Sequence, residues 1–185
     1  MVSKGKILGK PVLVFVSVGS TTFPFDRLFS TIDHVVNTRL SPYFLIVQEG
    51  NSRYVWQYKN IKQVKYLSPQ ELINCIKKAD KIIIQGGPAT IYLTVKNAKY
   101  LPLIIPRQSA YKEHVNGHQL LFVEYLKHKL PKNIRKYFLI EKNIETPIKN
   151  YLEERKKINT LNSYIFKRKK NNNLIIKIKK YLKEL

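Results

Sequence analysis

The chain has 185 residues, enough for one domain with a full core, and its 44% apolar content excludes a disordered or fibrous chain. Lys and Arg number 34 against 12 Asp and Glu, a formal charge of +22, so the partners to look for are anionic: nucleic acid, an anionic membrane surface, an acidic protein or a phosphorylated substrate. That surplus is mostly Lys among many Asn and Ile, a mixture that genome composition also produces, so charge alone is weak evidence. Cys75 is the only cysteine, which rules out an intramolecular disulfide and a cysteine metal cage and suits a reducing compartment. No segment reaches the ~20 apolar residues that span a bilayer.

Residues 12–18 form an apolar run broken only by Ser17, which predicts a strand buried on both faces, as in a parallel sheet. With its basic start, this run is read as a first strand rather than a signal peptide: it is short, lacks a small-residue cleavage site and leads directly into a turn. Gly19-Ser20-Thr21-Thr22 ends the strand. Residues 25–37 then carry Phe25, Leu28, Phe29, Ile32, Val35 and Val36 at helical spacing, with Asp26 in the first turn, where an acid complements the helix dipole. Residues 43–47 and 61–67 read as further strands. Ser68-Pro69-Gln70-Glu71 has the form of a helix start, with a serine cap, proline in first position and glutamate three residues after the cap. Leu72, Ile73, Ile76 and Ala79 give that helix an apolar face, and Cys75 on it is expected as a small buried side chain.

Residues 79–119 organise the rest. Residues 82–84 are a short β-branched strand, stopped by Gly86-Gly87-Pro88, and Thr90 continues into a helix. Residues 103–105 are another buried strand between Pro102 and Pro106. A polar loop follows, with Arg107, Gln108, Glu113, His114, His118 and Gln119, and residues 115–130 read as a helix with Leu120, Leu121, Val123, Leu126 and Leu130 inward. Strands alternating with helices in this order predict a doubly wound parallel α/β sheet, Rossmann-like. Two glycines between strand and helix let a ligand approach the backbone N–H groups of the helix start, where the dipole favours an anion such as a diphosphate. The Gly19-Ser20-Thr21 loop offers a second such place. Taken singly, each loop is equally an ordinary structural turn. Together, two such loops at one sheet edge point to a site.

Beyond about residue 127 the chain becomes basic, and residues 174–185 are amphipathic, behind a loose polar spacer. This tail fits three uses: a solvated helix on its own domain, a docking segment for a partner, or a helix on an anionic membrane surface. Residues 1–158 are therefore read as one α/β domain and 159–185 as a basic tail. His34 and His128 are read as surface residues.

Three motifs carry a resemblance: Phe15-Val16-Ser17-Val18-Gly19-Ser20-Thr21 with Phe25-Asp26-Arg27-Leu28; Gly86-Gly87-Pro88-Ala89-Thr90-Ile91; and Pro102 to Arg107 followed by Glu113-His114-Val115-Asn116-Gly117-His118-Gln119. The chain resembles the MurG-like glycosyltransferases of family 28, and among them the PssE-type small subunits of exopolysaccharide and capsule synthesis. The resemblance implies the C-terminal, donor-binding half of a GT-B enzyme. It implies inverting transfer of a hexose from a UDP-sugar to a polyprenyl-diphosphate-linked acceptor, with no cofactor and no bound metal. A separate membrane-anchored PssD-type subunit would hold the acceptor, which places the chain in the cytoplasm at the inner face of the plasma membrane. By position, Gly19, Ser20, Thr21, Gly86, Gly87, Ala89 and Thr90 would approach the diphosphate, with Arg107, His118 and Gln119 beside the sugar and diphosphate. Glu113 or His114 would serve as general base, a role the partner subunit can equally fill. The chain departs from the pattern at Gln85, where the family often has His, at Gly117, where it usually has Asp, and after the glycine pair, where Tyr92 to Val95 supply no carboxylate for ribose. Two other readings stand beside this one: a non-catalytic scaffold that only binds its partner, and a basic nucleic-acid-binding protein, for which no recognised motif is present.

Overall fold

The computed structural model describes residues 10–39, 42–154 and Lys180. Its centre is a sheet of five parallel strands: β1 Val12–Ser17, β2 Tyr43–Gln48, β3 Ile61–Val64, β4 Lys81–Gln85 and β5 Leu103–Ile105, in the order β3-β2-β1-β4-β5. The helices are α1 Asp26–Asn37, α2 Pro69–Lys78, α3 Pro88–Asn97, α4 His118–Lys129, the short α5 Lys132–Arg135, and α6 Glu145–Glu153. The expected doubly wound α/β fold is the one found. Because β1 lies between β2 and β4, with Phe15 opposite both Ile46 and Ile82, its residues Val14, Phe15 and Val16 are wholly buried. That explains the nearly continuous apolar run in the sequence. The chain moves outward from β1 in one direction through β3 and in the other through β5. The helices of the crossovers pair off, with α1 beside α6 and α2 beside α3.

Four expectations need correction. The strand predicted over 61–67 ends at Val64, since it is an edge strand whose Lys62 and Gln63 are exposed. The helix predicted over 115–130 starts at His118. Val115 is 71% exposed and Leu121 is 64% exposed, while Gln119, Phe122, Val123 and Leu126 face the core. Val123, Leu126 and Leu130 are inward as expected, and Phe122 takes the place expected for Leu121. Cys75 is half-buried rather than buried, with Ile76 taking the inward position of α2. The basic tail lies outside the described residues apart from Lys180. The capping box at Ser68 is present as expected, with Ser68 Oγ accepting from the Glu71 N–H at 3.3 Å and Glu71 accepting from the Ser68 N–H at 2.8 Å. His34 and His128 are exposed.

Two buried polar contacts hold the periphery to the sheet. Lys81 on β4 is 4% exposed and its ammonium donates to the carbonyls of Tyr151 at 2.6 Å and Glu154 at 2.8 Å, the carboxyl end of α6, where a cation is favoured. On α1, Asp33 is 2% exposed. Its carboxylate accepts from the Tyr54 hydroxyl and from the N–H groups of Gln57 and Tyr58, each at 2.8 Å. This one side chain anchors the long β2–β3 connection, and burial followed by the Asp33 hydrogen bond pushes the Tyr54 phenol up to about 12. Asp33→Asn turns an amide toward these donors and is expected to cost about 2–3 kcal/mol of stability, read as a lower urea midpoint with an unchanged slope.

Candidate functional site

The strand order reverses between β1 and β4, and a crevice outside the carboxyl ends of the strands is expected at such a point. A cleft of about 490 Å³ lies there. Its polar wall is made by Gly19, Ser20 and Thr21 after β1, Gln48 at the end of β2, Gln85 at the end of β4, Thr90 on α3 and Gln119 on α4. Leu67, Pro69, Leu72 and Leu93 form an apolar wall between α2 and α3. A cavity of about 560 Å³ near β5 and α6 contains none of the sequence-predicted residues.

Gly19 has φ of 74°, a left-handed conformation that opens the loop after β1, and a Cβ there would lie 3.2 Å from Gln85 Nε2. The Gln85 amide bridges the start of α3: its oxygen accepts from the Gly87 N–H at 2.9 Å and its nitrogen donates to Thr90 Oγ1 at 2.9 Å. At the N-terminus of α3 the Gly87 N–H is taken by Gln85 and Pro88 has none, which leaves the Ala89 and Thr90 N–H groups at the start of this ten-residue helix, where Thr90 lines the cleft with the Gly19–Thr21 loop. Gly86 has a different duty. A Cβ on it would sit 2.9 Å from Pro106 Cα and 3.0 Å from Val123, so its glycine lets β4 pack against the β5–α4 segment.

The polar residues of the loop after β5 divide into two groups. Arg107 is fully buried, and its guanidinium donates to the carbonyls of Phe23 at 2.9 Å, Pro24 at 2.8 Å, Glu113 at 3.2 Å and Val18 at 2.9 Å. Burial lowers its pKa to about 10, against the opposing pull of Glu113 and Asp26. Glu113 is 3% exposed and takes a two-pronged contact from Arg27, at 2.7 and 2.9 Å, while it also accepts from the Gln108 N–H at 2.9 Å. These side chains fasten the loop after β5 to the loop after β1. His114 and His118 form the second group. Their rings meet edge to face with centroids 4.5 Å apart, and His114 lies against Phe23 at 5.5 Å. Asn116 sits between them: its side-chain oxygen contacts His118 Nδ1, and its N–H points to His114 Nδ1 at 3.5 Å. Burial first, then His118 and Arg107, lower the His114 pKa, so its imidazole is neutral at pH 7 and able to accept a proton.

A family model described as the glycosyltransferase family 28 C-terminal domain matches residues 13–177. The chain belongs to glycosyltransferase family 28. No curated protein and no solved structure matches it. The fold is the Rossmann-like half of a GT-B architecture, and the cleft lies where that half is expected to hold its ligand.

Of the residues predicted for the family 28 site, Gly19, Ser20, Thr21, Thr90 and Gln119 share the cleft. Gly87 stands behind Gln85 at its rim, and Ala89 is exposed in the first turn of α3. Gly86, Arg107 and Glu113 lie beneath the surface and spend their contacts on other loops. Sequence reasoning did not single out Gln48 and the apolar wall, and it left Arg27 and Gln85 without a role. Arg27 sits in the Phe25–Leu28 motif and Gln85 was visible as a departure from His, so the sequence marked both positions. Nothing marked the apolar wall, because Leu67 and Leu93 read as ordinary core. The described residues lining the cleft include no carboxylate. No group of three His, Cys, Asp or Glu lies together among the described residues. No described helix is long and apolar enough to cross a membrane.

Proposed function

We propose that this domain is the donor-binding catalytic subunit of a two-subunit inverting glycosyltransferase that moves a hexose from a UDP-sugar to a polyprenyl-diphosphate-linked acceptor in capsule or exopolysaccharide synthesis. The observation that supports this best is the two-sided cleft at the β1/β4 reversal of a family 28 chain. Its apolar wall suits the flat face of a uracil, and its glycine loop and uncapped helix start suit a diphosphate.

On this reading, the Gly19–Thr21 loop and the first turn of α3 stabilise the charge that grows on the leaving diphosphate. The acceptor hydroxyl loses its proton to His114 while its oxygen bonds to the anomeric carbon. The bond from that carbon to the diphosphate oxygen breaks, and UDP leaves with the electron pair. Glu113 and Arg107 act as positioning residues, since their polar atoms hold the loop that carries His114 and His118. Gln48 and the Ser and Thr hydroxyls stand in for the missing ribose carboxylate. Residues 1–158 form the domain, and the basic tail of 159–185 holds it to the anionic inner face of the plasma membrane beside a membrane-anchored PssD-type partner. The cleft favours this over a scaffold that only docks or a nucleic-acid binder.

Isothermal calorimetry and thermal shift with UDP test the reading. UDP at a hundredfold excess over its Kd is expected to stabilise the chain by about 2.7 kcal/mol. Thr90→Val and Gly19→Val are expected to weaken binding. Absence of UDP and UDP-sugar binding, with and without the partner subunit, sinks it.

A further inference from the structure

Three glutamines, Gln48, Gln85 and Gln119, stand in the polar wall of the cleft at the sheet edge. The fold fixes which end of each amide is free. Gln85 is committed at both ends, to the Gly87 N–H and to Thr90 Oγ1. Gln119 Oε1 accepts from the Arg107 N–H at 3.1 Å. A backbone N–H only donates, so the end of Gln119 left over is its nitrogen. Gln48 Oε1 accepts from the Ser17 hydroxyl at 2.7 Å. Ser17 is 1% exposed, and its oxygen already accepts from the Gly19 N–H at 3.4 Å, so its hydrogen goes to Gln48. Gln48 is itself only 5% exposed, yet its amide nitrogen donates to no described residue. That nitrogen is not sealed, as the unpaired nitrogens of Trp56 and Arg107 are, and Gln48 lines the cleft. A nearly buried donor that opens only onto a cleft calls for an acceptor on the ligand.

The strand order tells which part of the ligand meets it. Gln48 stands opposite Ser17 at the end of β1 and opposite Val64 at the end of β3. The Gly19–Thr21 loop follows β1, and Leu67 and Pro69 of the apolar wall follow β3. A ligand with its diphosphate on the first and its base on the second therefore crosses Gln48 with its pentose. The pentose offers hydroxyl oxygens, and the 2′-hydroxyl is the one beside the base. We infer that Gln48 donates to the ribose 2′-hydroxyl oxygen, so that the cleft selects ribonucleoside diphosphate sugars and rejects 2′-deoxy ones, deoxythymidine diphosphate sugars among them. The inference rests on the donor-site reading and adds to it a class of activated sugar that the chain turns away. Ser17 is a positioning residue here: without its hydroxyl the Gln48 amide is free to turn its oxygen to the ligand.

Calorimetry on the full chain tests this with UDP, 2′-deoxyUDP, 3′-deoxyUDP and deoxythymidine diphosphate, and with inorganic pyrophosphate as a probe of the diphosphate end alone. Wild type is expected to bind both 2′-deoxy nucleotides about tenfold or more weakly than UDP, because a desolvated amide loses its acceptor. Loss of the 3′-hydroxyl is expected to cost less. Gln48→Leu is expected to weaken UDP and to bring UDP and 2′-deoxyUDP within about twofold of each other, with pyrophosphate affinity unchanged. Ser17→Ala is expected to narrow the gap in part, again with pyrophosphate unchanged. Gln48→Asn withdraws the amide by one methylene, is expected to close the gap in the same way, and serves if leucine disturbs the fold. Equal binding of UDP and either 2′-deoxy nucleotide by wild type, or a gap that persists in both Gln48 variants, overturns the inference and leaves the donor reading standing. Failure of wild type to bind any uridine nucleotide, with or without the partner subunit, sinks both.

Discussion

Arg107→Met is expected to cost the fold about 3–5 kcal/mol, seen as a thermal midpoint lower by roughly 6–20 °C for a domain of this size. The guanidinium is fully buried and is shared among four carbonyls from three segments: the end of β1, the turn before α1, and Glu113 on the loop after β5. Methionine fills much of the volume but leaves those carbonyls without donors in a place water does not reach, and each such group is costly. It also removes the cation from the face of Phe25, whose ring centroid lies 4.8 Å away. Arg107→Lys is expected to recover only part of the loss, since one ammonium cannot span donors set out in a planar fork. Urea denaturation of the three proteins measures this. A loss below about 1 kcal/mol for Arg107→Met would show that the loops hold together without it.

His114→Gln is expected to lower kcat by roughly 10²–10⁴-fold with little change in KM for the donor, the size of effect that loss of a general base produces. Stability should change far less, because the ring is half-buried and its polar contacts are weak. The pH dependence is a sharper test. Burial, the neighbouring His118 and Arg107 all disfavour the imidazolium, so the acidic limb of kcat/KM falls below the ordinary histidine value of 6.5. His118→Gln removes one of those influences and is expected to move the limb upward. The same shift has a consequence for folding. A histidine whose folded pKa is lowered binds its proton more readily in the unfolded chain, so stability falls as pH drops from about 6.5 through the folded value. An acidic limb that stays in place in both variants would assign the base to another group, in this chain or its partner.

The periodicities that predicted the sheet were strong because β1 and β4 are covered on both faces, so nearly every residue had to be apolar. The edge of the sheet was less legible. At β3, an edge strand, Lys62 and Gln63 are exposed and Ile61 and Val64 only half-buried, and nothing in the sequence marks the end of pairing at Val64. The start of α4 is hidden in the sequence for a physical reason: the residues of 113–117 are held by Arg27, Arg107 and the Asn116 side chain rather than by helical hydrogen bonds, and a helix pattern cannot show that. In the site, glycines and hydroxyls announced themselves because few other residues can make such loops. Glu113 and Arg107 looked like chemistry because they are charged and clustered, yet their side chains tie loops together, which only tertiary contacts reveal.

Gly50 adopts φ of 60° and stands so near the loop after β1 that a Cβ on it would lie 3.0 Å from the Gly19 carbonyl oxygen. The two connections therefore approach backbone to backbone, with Val18 Cγ2 the nearest side-chain atom at 3.4 Å. A side chain at position 50 would push that carbonyl aside and with it the Gly19–Thr21 wall of the cleft, so the turn after β2 governs the shape of a surface it does not itself line.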